Sequence, residues 1–164
     1  MPIVKFIILL VVALLVLVAF VGRDRVLASL FGPLDLRPVD FSSLVLGPNP
    51  NQFLVCPPDF CAATPHMASP LFAVPVAELR QRWMDLLKTR PNMETVTADD
   101  QALQYDYIQR SKIMRFPDSI TLRFLQAPAG GSTLAIYSRS HYGKSDFGVN
   151  EARVRSWLAQ LAAP

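Results

Sequence analysis

The sequence predicts an α+β fold: an N-terminal transmembrane helix, then an antiparallel meander of about four strands covered by two amphipathic helices. Three observations predict it. From Ile3 to Val21 the only non-apolar residue is Lys5. Between Leu103 and Tyr137 apolar side chains alternate with polar ones at strand period. Two later segments, one around Trp83 and one around Trp157, carry apolar residues at helical spacing.

The stretch from Phe6 to Val21 is uninterrupted and rich in Leu, Val and Ile. As a helix, a run of about nineteen residues reaches about 28 Å, close to the roughly 30 Å hydrocarbon core. In water such a run needs burial on every side, which a small domain cannot provide at its extreme end. Residues 1–22 are therefore assigned as a membrane anchor. A cleaved signal peptide is the competing reading. Its best small-residue pair is Val26 and Ala28, with a cut before Ser29. That places Arg23, Asp24 and Arg25 between the apolar core and the cut, which disfavours it.

Orientation rests on two opposed signals. Arg23, Arg25 and Arg37 follow the helix, and a literal positive-inside count leaves the domain in the cytoplasm. Cys56 and Cys61, the only cysteines, sit in a proline-rich loop, and an even pair closing a short loop suits an oxidising compartment. The expectation is a domain outside the cytoplasm, on the periplasmic side, with Cys56 and Cys61 as a disulfide or as two thiols. The net charge of +3 is too weak a bias for nucleic acid, and no such partner is expected.

Residues 23–50 read as a juxtamembrane linker, because Gly32-Pro33, Arg37-Pro38 and Gly47-Pro48-Asn49-Pro50 interrupt regular structure. It either wraps along the domain or lies at the membrane surface. Residues 51–164 form the small α+β domain. Its first part is irregular, with one short strand expected at Leu71 to Val74. Val76, Leu79, Trp83, Leu86 and Leu87 then mark one face of a helix that Pro91 stops. Met93 to Thr97 is β-prone, and Asp99-Asp100 makes a turn. Leu103, Tyr105 and Tyr107 begin the next strand; Ile120, Leu122 and Phe124 the one after. Ala127 to Gly131 is a hairpin loop before Leu134 and Ile136. Val154, Trp157, Leu158 and Leu161 give the final helix. Alternation turns Asp106, Arg110, Arg123 and Arg139 away from the apolar face, as a solvated surface or an anion- or partner-binding one.

The run from Tyr137 through Ser138-Arg139-Ser140-His141-Tyr142-Gly143-Lys144-Ser145-Asp146-Phe147-Gly148-Val149 to Asn150, followed by Arg153-Val154, resembles the signature of domain-of-unknown-function family 1499. Arg110-Ser111, Phe116-Pro117-Asp118-Ser119-Ile120 and Pro48-Asn49-Pro50-Asn51-Gln52-Phe53-Leu54-Val55-Cys56 resemble it too. The resemblance covers about Leu46 to Leu161 and implies no activity.

Physically, a strand, a glycine-containing loop and a helix N-terminus gather backbone N–H groups that can hold an anion. Arg139, Ser140, Gly143, Lys144, Asp146, Gly148, Asn150 and Arg153 are the candidates for an anion or a partner. Asn150 is read as the N-cap, with Gly143 or Gly148 at positive φ. In the alternative, Asp146 pairs with Arg139 or Arg153 and only closes the loop. Ser138, Ser140, His141 and Asp146 include the side-chain types of a hydrolytic triad, but neighbours on a strand point to opposite faces, so no catalytic residue is assigned. Cys56, Cys61 and His66 lack a fourth ligand and a standard zinc spacing; no metal or cofactor is expected. The functional expectation is a membrane-anchored accessory domain of a bacterial-type envelope, binding a small amphipathic ligand or a membrane protein. Tyr105, Tyr107, Phe124, Trp83 and Trp157 either line its cleft or pack its core. The rivals are an enzyme acting on an anionic substrate at the Arg139 to Arg153 loop and a structural part of a membrane complex.

Overall fold

A computed structural model describes residues 2–90, 92–128 and 130–163; at 18–21 it describes the backbone alone. The apolar N-terminal run forms helix α1 (Pro2–Val21), whose large side chains from Ile3 to Leu17 are exposed. Among the described residues no helix is long and apolar enough to cross a membrane. The side chains at 18–21, and Met1, lie outside the described residues, so the expected span is described only in part.

The segment read as a linker contains regular structure. After Gly22 the chain forms α2 (Arg23–Phe31). Leu27 is buried, and Asp24 accepts from Arg110 and Arg115, which tethers α2 to the domain. Gly32 and Pro33 stop the helix where expected.

The sheet has six strands rather than about four: β1 (Gln52–Cys56), β2 (Met67–Ala68), β3 (Met93–Asp99), β4 (Gln104–Arg110), β5 (Pro117–Gln126) and β6 (Ser132–Ser140). Their order is β2-β1-β6-β5-β4-β3, with β3 to β6 forming the expected meander. The two extra strands lie in the proline-rich part. β1 is a short apolar run, and β6 supplies its partner in long-range antiparallel register, Val55 facing Ile136. No strand forms at Leu71 to Val74. Phe72 instead makes one isolated bridge to Ser132. That bridge runs so close to Gly131 that a Cβ there would stand 2.3 Å from the Phe72 carbonyl oxygen.

Two helices, α3 (Val76–Lys88) and α4 (Val149–Ala162), cover one face of the sheet. The expected stop at Pro91 lies outside the described residues; α3 ends at Lys88, before Thr89. Leu79, Trp83, Val154, Trp157 and Leu161 meet Phe53, Tyr105, Tyr107, Ile120, Leu122, Phe124 and Ile136 in one core. The five aromatics expected as cleft lining or core, Trp83, Tyr105, Tyr107, Phe124 and Trp157, are all buried here. Trp83 donates to the Tyr107 hydroxyl at 3.0 Å, and burial pushes that phenol up to about 12.

The opposite face is covered too. Phe41 packs on Leu54, Cys56, Ala135 and Tyr137, with Val39, Leu44, Leu46 and Phe60 around them. Cys56 and Cys61 are joined by a disulfide, which holds the 57–60 loop over this second core. Gln104 donates to the Val39 carbonyl at 2.9 Å, and Arg123 lies over the Phe60 ring. Alternation turned these side chains outward correctly, but the proline-rich strap then covers them. Asp106 is consequently buried; the cross-strand ion pair on this face is made further along β4, by Arg110 with Glu94 of β3 at 3.6 Å.

Candidate functional site

The helix-facing side of the sheet is apolar along most of its length and polar at one end. Ile120, Leu122 and Phe124 of β5 share that face with Asp118. Leu134 and Ile136 of β6 share it with Ser138 and Ser140. Strand period continues while the chemistry changes, so a buried patch of hydroxyl and carboxylate sits at the edge of a hydrophobic core. Buried polar groups of this kind persist only if their partners are supplied.

The last loop and α4 supply them. The expected N-cap at Asn150 is corrected by one turn geometry: Phe147 and Gly148 both adopt left-handed φ, of 54° and 79°, and α4 starts at Val149. Gly143 has positive φ as well. The capping carboxylate belongs to Asp146, which accepts from the backbone N–H of Gly148 at 3.0 Å and of Asn150 at 2.8 Å. Burial alone would raise the Asp146 carboxyl. These N–H donors and the Asn150 amide outweigh it and hold the group below its ordinary value. Asp146 therefore pairs with neither Arg139 nor Arg153.

Asn150, one residue into the helix, is fully buried beneath it. Its Nδ2 has the Asp146 carboxylate at 2.7 Å, the Ser140 hydroxyl at 3.1 Å and the Asn51 carbonyl at 3.2 Å as acceptors. Its Oδ1 accepts from the Ser138 hydroxyl and, at 2.6 Å, from Arg153. Arg153 also donates to Asp118, with both side chains only about a tenth exposed. Ser140 donates to the other Asp118 oxygen at 2.6 Å. Asn51 donates to the Gly143 carbonyl at 2.8 Å, pinning the loop to the residue just before β1. Five separate segments thus close on one network.

Of the residues singled out from sequence, this network gathers Ser140, Gly143, Asp146, Gly148, Asn150 and Arg153. It leaves out two. Lys144 is exposed at the loop tip. Arg139 lies on the other face of β6, where it reaches Ser119 and the Asp35 carbonyl. Arg139 and Arg153 therefore do not converge on an anion. Among the described residues no triad forms either: Ser140 serves Asp118, Asp146 serves the helix N-terminus, and the buried His141 Nε2 has no hydrogen-bond partner. Burial lowers the His141 pKa. The Cys56, Cys61 and His66 set is spent as well, the thiols on each other and the His66 Nδ1 on the Leu54 N–H at 3.0 Å. Asp118, Asn51 and Ser138 complete the network. For Asp118 and Asn51 the only sequence signal was their place in the family-like motifs; Ser138 also stood out as a triad-type side chain.

Every motif segment that resembled the family contributes to this one network or flanks it. A family model described as protein of unknown function (DUF1499) matches residues 46–161. The chain belongs to that family. No curated protein matches it. Within the family match, motif residues hydrogen-bond to one another and join the strap, β5, β6 and α4 at the end of the sheet.

Beside the network opens a cleft of about 320 Å³. Asp118 and Ser140 form its polar floor; Phe31, Phe116, Tyr142 and Phe147 form apolar walls. Phe31 of α2 stacks on Tyr142 with ring centroids 5.0 Å apart and meets Phe116 edge-on at 6.4 Å. The Tyr142 hydroxyl donates to the Gly32 carbonyl at 2.9 Å, so the end of α2 is built into the cleft. Sequence reading missed this site because its walls come from the end of α2 and from two loops, with no shared periodicity.

Proposed function

We propose that the protein is a membrane-anchored binding domain of the cell envelope, with its cleft taking a small amphipathic molecule. The observation that carries the reading is the placement of the cleft: an apolar-walled, polar-floored opening one short helix away from α1. Among the described residues no helix is long and apolar enough for a span, but the sequence stays apolar through Val21. A 20-residue helix reaches about 30 Å, the thickness of the hydrocarbon core. The bare apolar side chains along α1 support its placement in lipid. The Cys56–Cys61 disulfide supports a domain outside the cytoplasm, where such bonds persist.

A saturated network favours binding over catalysis. Asp118, Asp146, Ser138 and Ser140 already have internal partners, so the cleft floor presents fixed polar atoms rather than an activated nucleophile. The test is purification of the full chain in mild detergent, lipid extraction and mass spectrometry. One bound amphipath is expected per protein, and it should be lost from Ser145→Trp, which fills the cleft mouth. An identical lipid profile for wild type, variant and a protein-free detergent extract would sink the reading.

A further inference from the structure

The two loops that contribute Ser111, Phe116, Gly143 and Phe147 to the cleft also carry apolar side chains that the fold does not use. In the β4–β5 loop, Ile113 is 79% exposed and Met114 is 56% exposed; in the β6–α4 loop, Phe147 is 95% exposed. Phe147 also occupies left-handed backbone, an unfavourable place for an aromatic residue with no burial in return. These loops are over thirty positions apart, yet Phe116 and Phe147 line the same cleft. Exposed apolar patches of this kind mark contact surfaces.

Two further observations say what covers this one. Arg23, the second residue after α1, donates to the Ile113 carbonyl at 2.8 Å, so the β4–β5 loop tip stands where α1 ends. Exposed cations flank the apolar tips: Arg25 on α2, Lys112 beside Ile113 and Lys144 near Phe147. Aromatic and aliphatic tips ringed by lysine and arginine suit the boundary between headgroups and acyl chains.

We infer that Ile113, Met114 and Phe147 insert into the anionic leaflet from which α1 emerges, docking the domain on the bilayer with its cleft mouth open to lipid. The inference rests on the membrane-anchor reading and adds a posture to it. A ligand would then enter the cleft from the leaflet without crossing water. The strap over the outer face and the α3–α4 layer would both stay in solvent.

The test uses the full chain reconstituted into vesicles of phosphatidylglycerol and phosphatidylcholine, with or without bromine on the acyl chains. Phe147→Trp, Ile113→Trp and Leu71→Trp each add one indole to the buried pair Trp83 and Trp157. Leu71 is exposed next to Phe72, which bridges Ser132 at the far end of β6. The added emission should shift to the blue and be lost to bromolipid for F147W and I113W, and be unchanged for L71W. Quenching should weaken in vesicles of phosphatidylcholine alone, and quenching of equal strength there overturns the electrostatic part. A protein that floats with vesicles but shows no quenching at either rim position overturns the docking alone. Equal quenching at all three positions overturns it too. A protein that does not float with vesicles overturns docking and anchor together.

Discussion

Asn150 and Phe147 stand three positions apart and meet opposite fates. The amide is fully buried, while the aromatic ring is almost wholly exposed. The amide lies in a network in which hydroxyl, carboxylate and guanidinium groups satisfy one another, and the loop is shaped around it. The ring lies on the far side of the same turn, where nothing among the described residues covers it. The difference separates two kinds of specificity in one motif. The buried half is explained by the fold alone, whereas the exposed half has no explanation inside the fold and points outward.

The largest effect should come from breaking the buried half. Asp118→Ala removes the partner of Arg153 and Ser140 together and strands a guanidinium that is about a tenth exposed. Stability should fall by about 3–5 kcal/mol. Arg153→Met in the same chain should recover part of that loss, because no charge is then left unpaired. Denaturant melts of the two single variants and the double variant in detergent measure the coupling. Purely additive losses would remove the network from the account of this fold.

Next in size is the loop carboxylate. Asp146→Ala uncaps α4 and takes an acceptor from Asn150, at a cost of about 1–2 kcal/mol. Its carboxyl is held below the ordinary value in the folded state. The stability it adds is therefore present above the usual carboxylate range and lost as pH falls through the lowered folded value. Wild type and variant should differ fully at pH 7 and converge in strong acid. A constant difference across pH would show that the charge on Asp146 is irrelevant.

A carboxylate on the other face sharpens the contrast. Asp106 is buried under the strap with one donor, the Thr121 hydroxyl at 2.6 Å. Burial raises its pKa, against the opposing effect of that hydrogen bond. With the folded value above the unfolded one, the native state holds its proton more tightly. Stability then declines as pH rises from the ordinary carboxylate range through the raised value. Asp106→Asn should stabilise the protein by about 1 kcal/mol at neutral pH and by nothing once both forms are protonated. Thermal melts between pH 3 and pH 8, a window spanning roughly the carboxylate range, would show it. A variant less stable than wild type at neutral pH would mean that the charge has a partner after all.

The sequence made the meander, both covering helices and the inward side of every long strand legible, because each rests on a period that ten or so residues repeat. β1 was hidden because four apolar residues, Phe53 to Cys56, between prolines carry no period, and only the distant β6 makes them a strand. α2 was hidden by its short length and mixed face. In the candidate site, Asn150 was legible as a residue of consequence but not in its role. A cap is a matter of one dihedral, and the left-handed turns at Phe147 and Gly148 shift the helix start by a residue or two. Asp118 was harder still: it lies on the apolar face of a strand, where alternation expects a core residue, and its partner is 35 positions away. The cleft walls were illegible altogether, since proximity of Phe31, Phe116 and Phe147 is made by the fold and by no local pattern.

The smallest expected effect on stability belongs to the exposed half, and it is the one that decides whether the comparison has functional meaning. Phe147→Ser removes a ring that touches little of the domain, so melts in detergent should move by less than about 0.5 kcal/mol. The backbone there is left-handed, and Phe147→Asn should even gain a few tenths of a kcal/mol, since asparagine tolerates that region better. A loop kept for stability would have no reason to hold phenylalanine at this position. Both variants should nonetheless lose rim contact in vesicles, read as faster hydrogen exchange at the amides of 144–148 than in wild type. Unchanged exchange would leave Phe147 without a role, and a large loss of stability would place it in the fold and erase the contrast with Asn150.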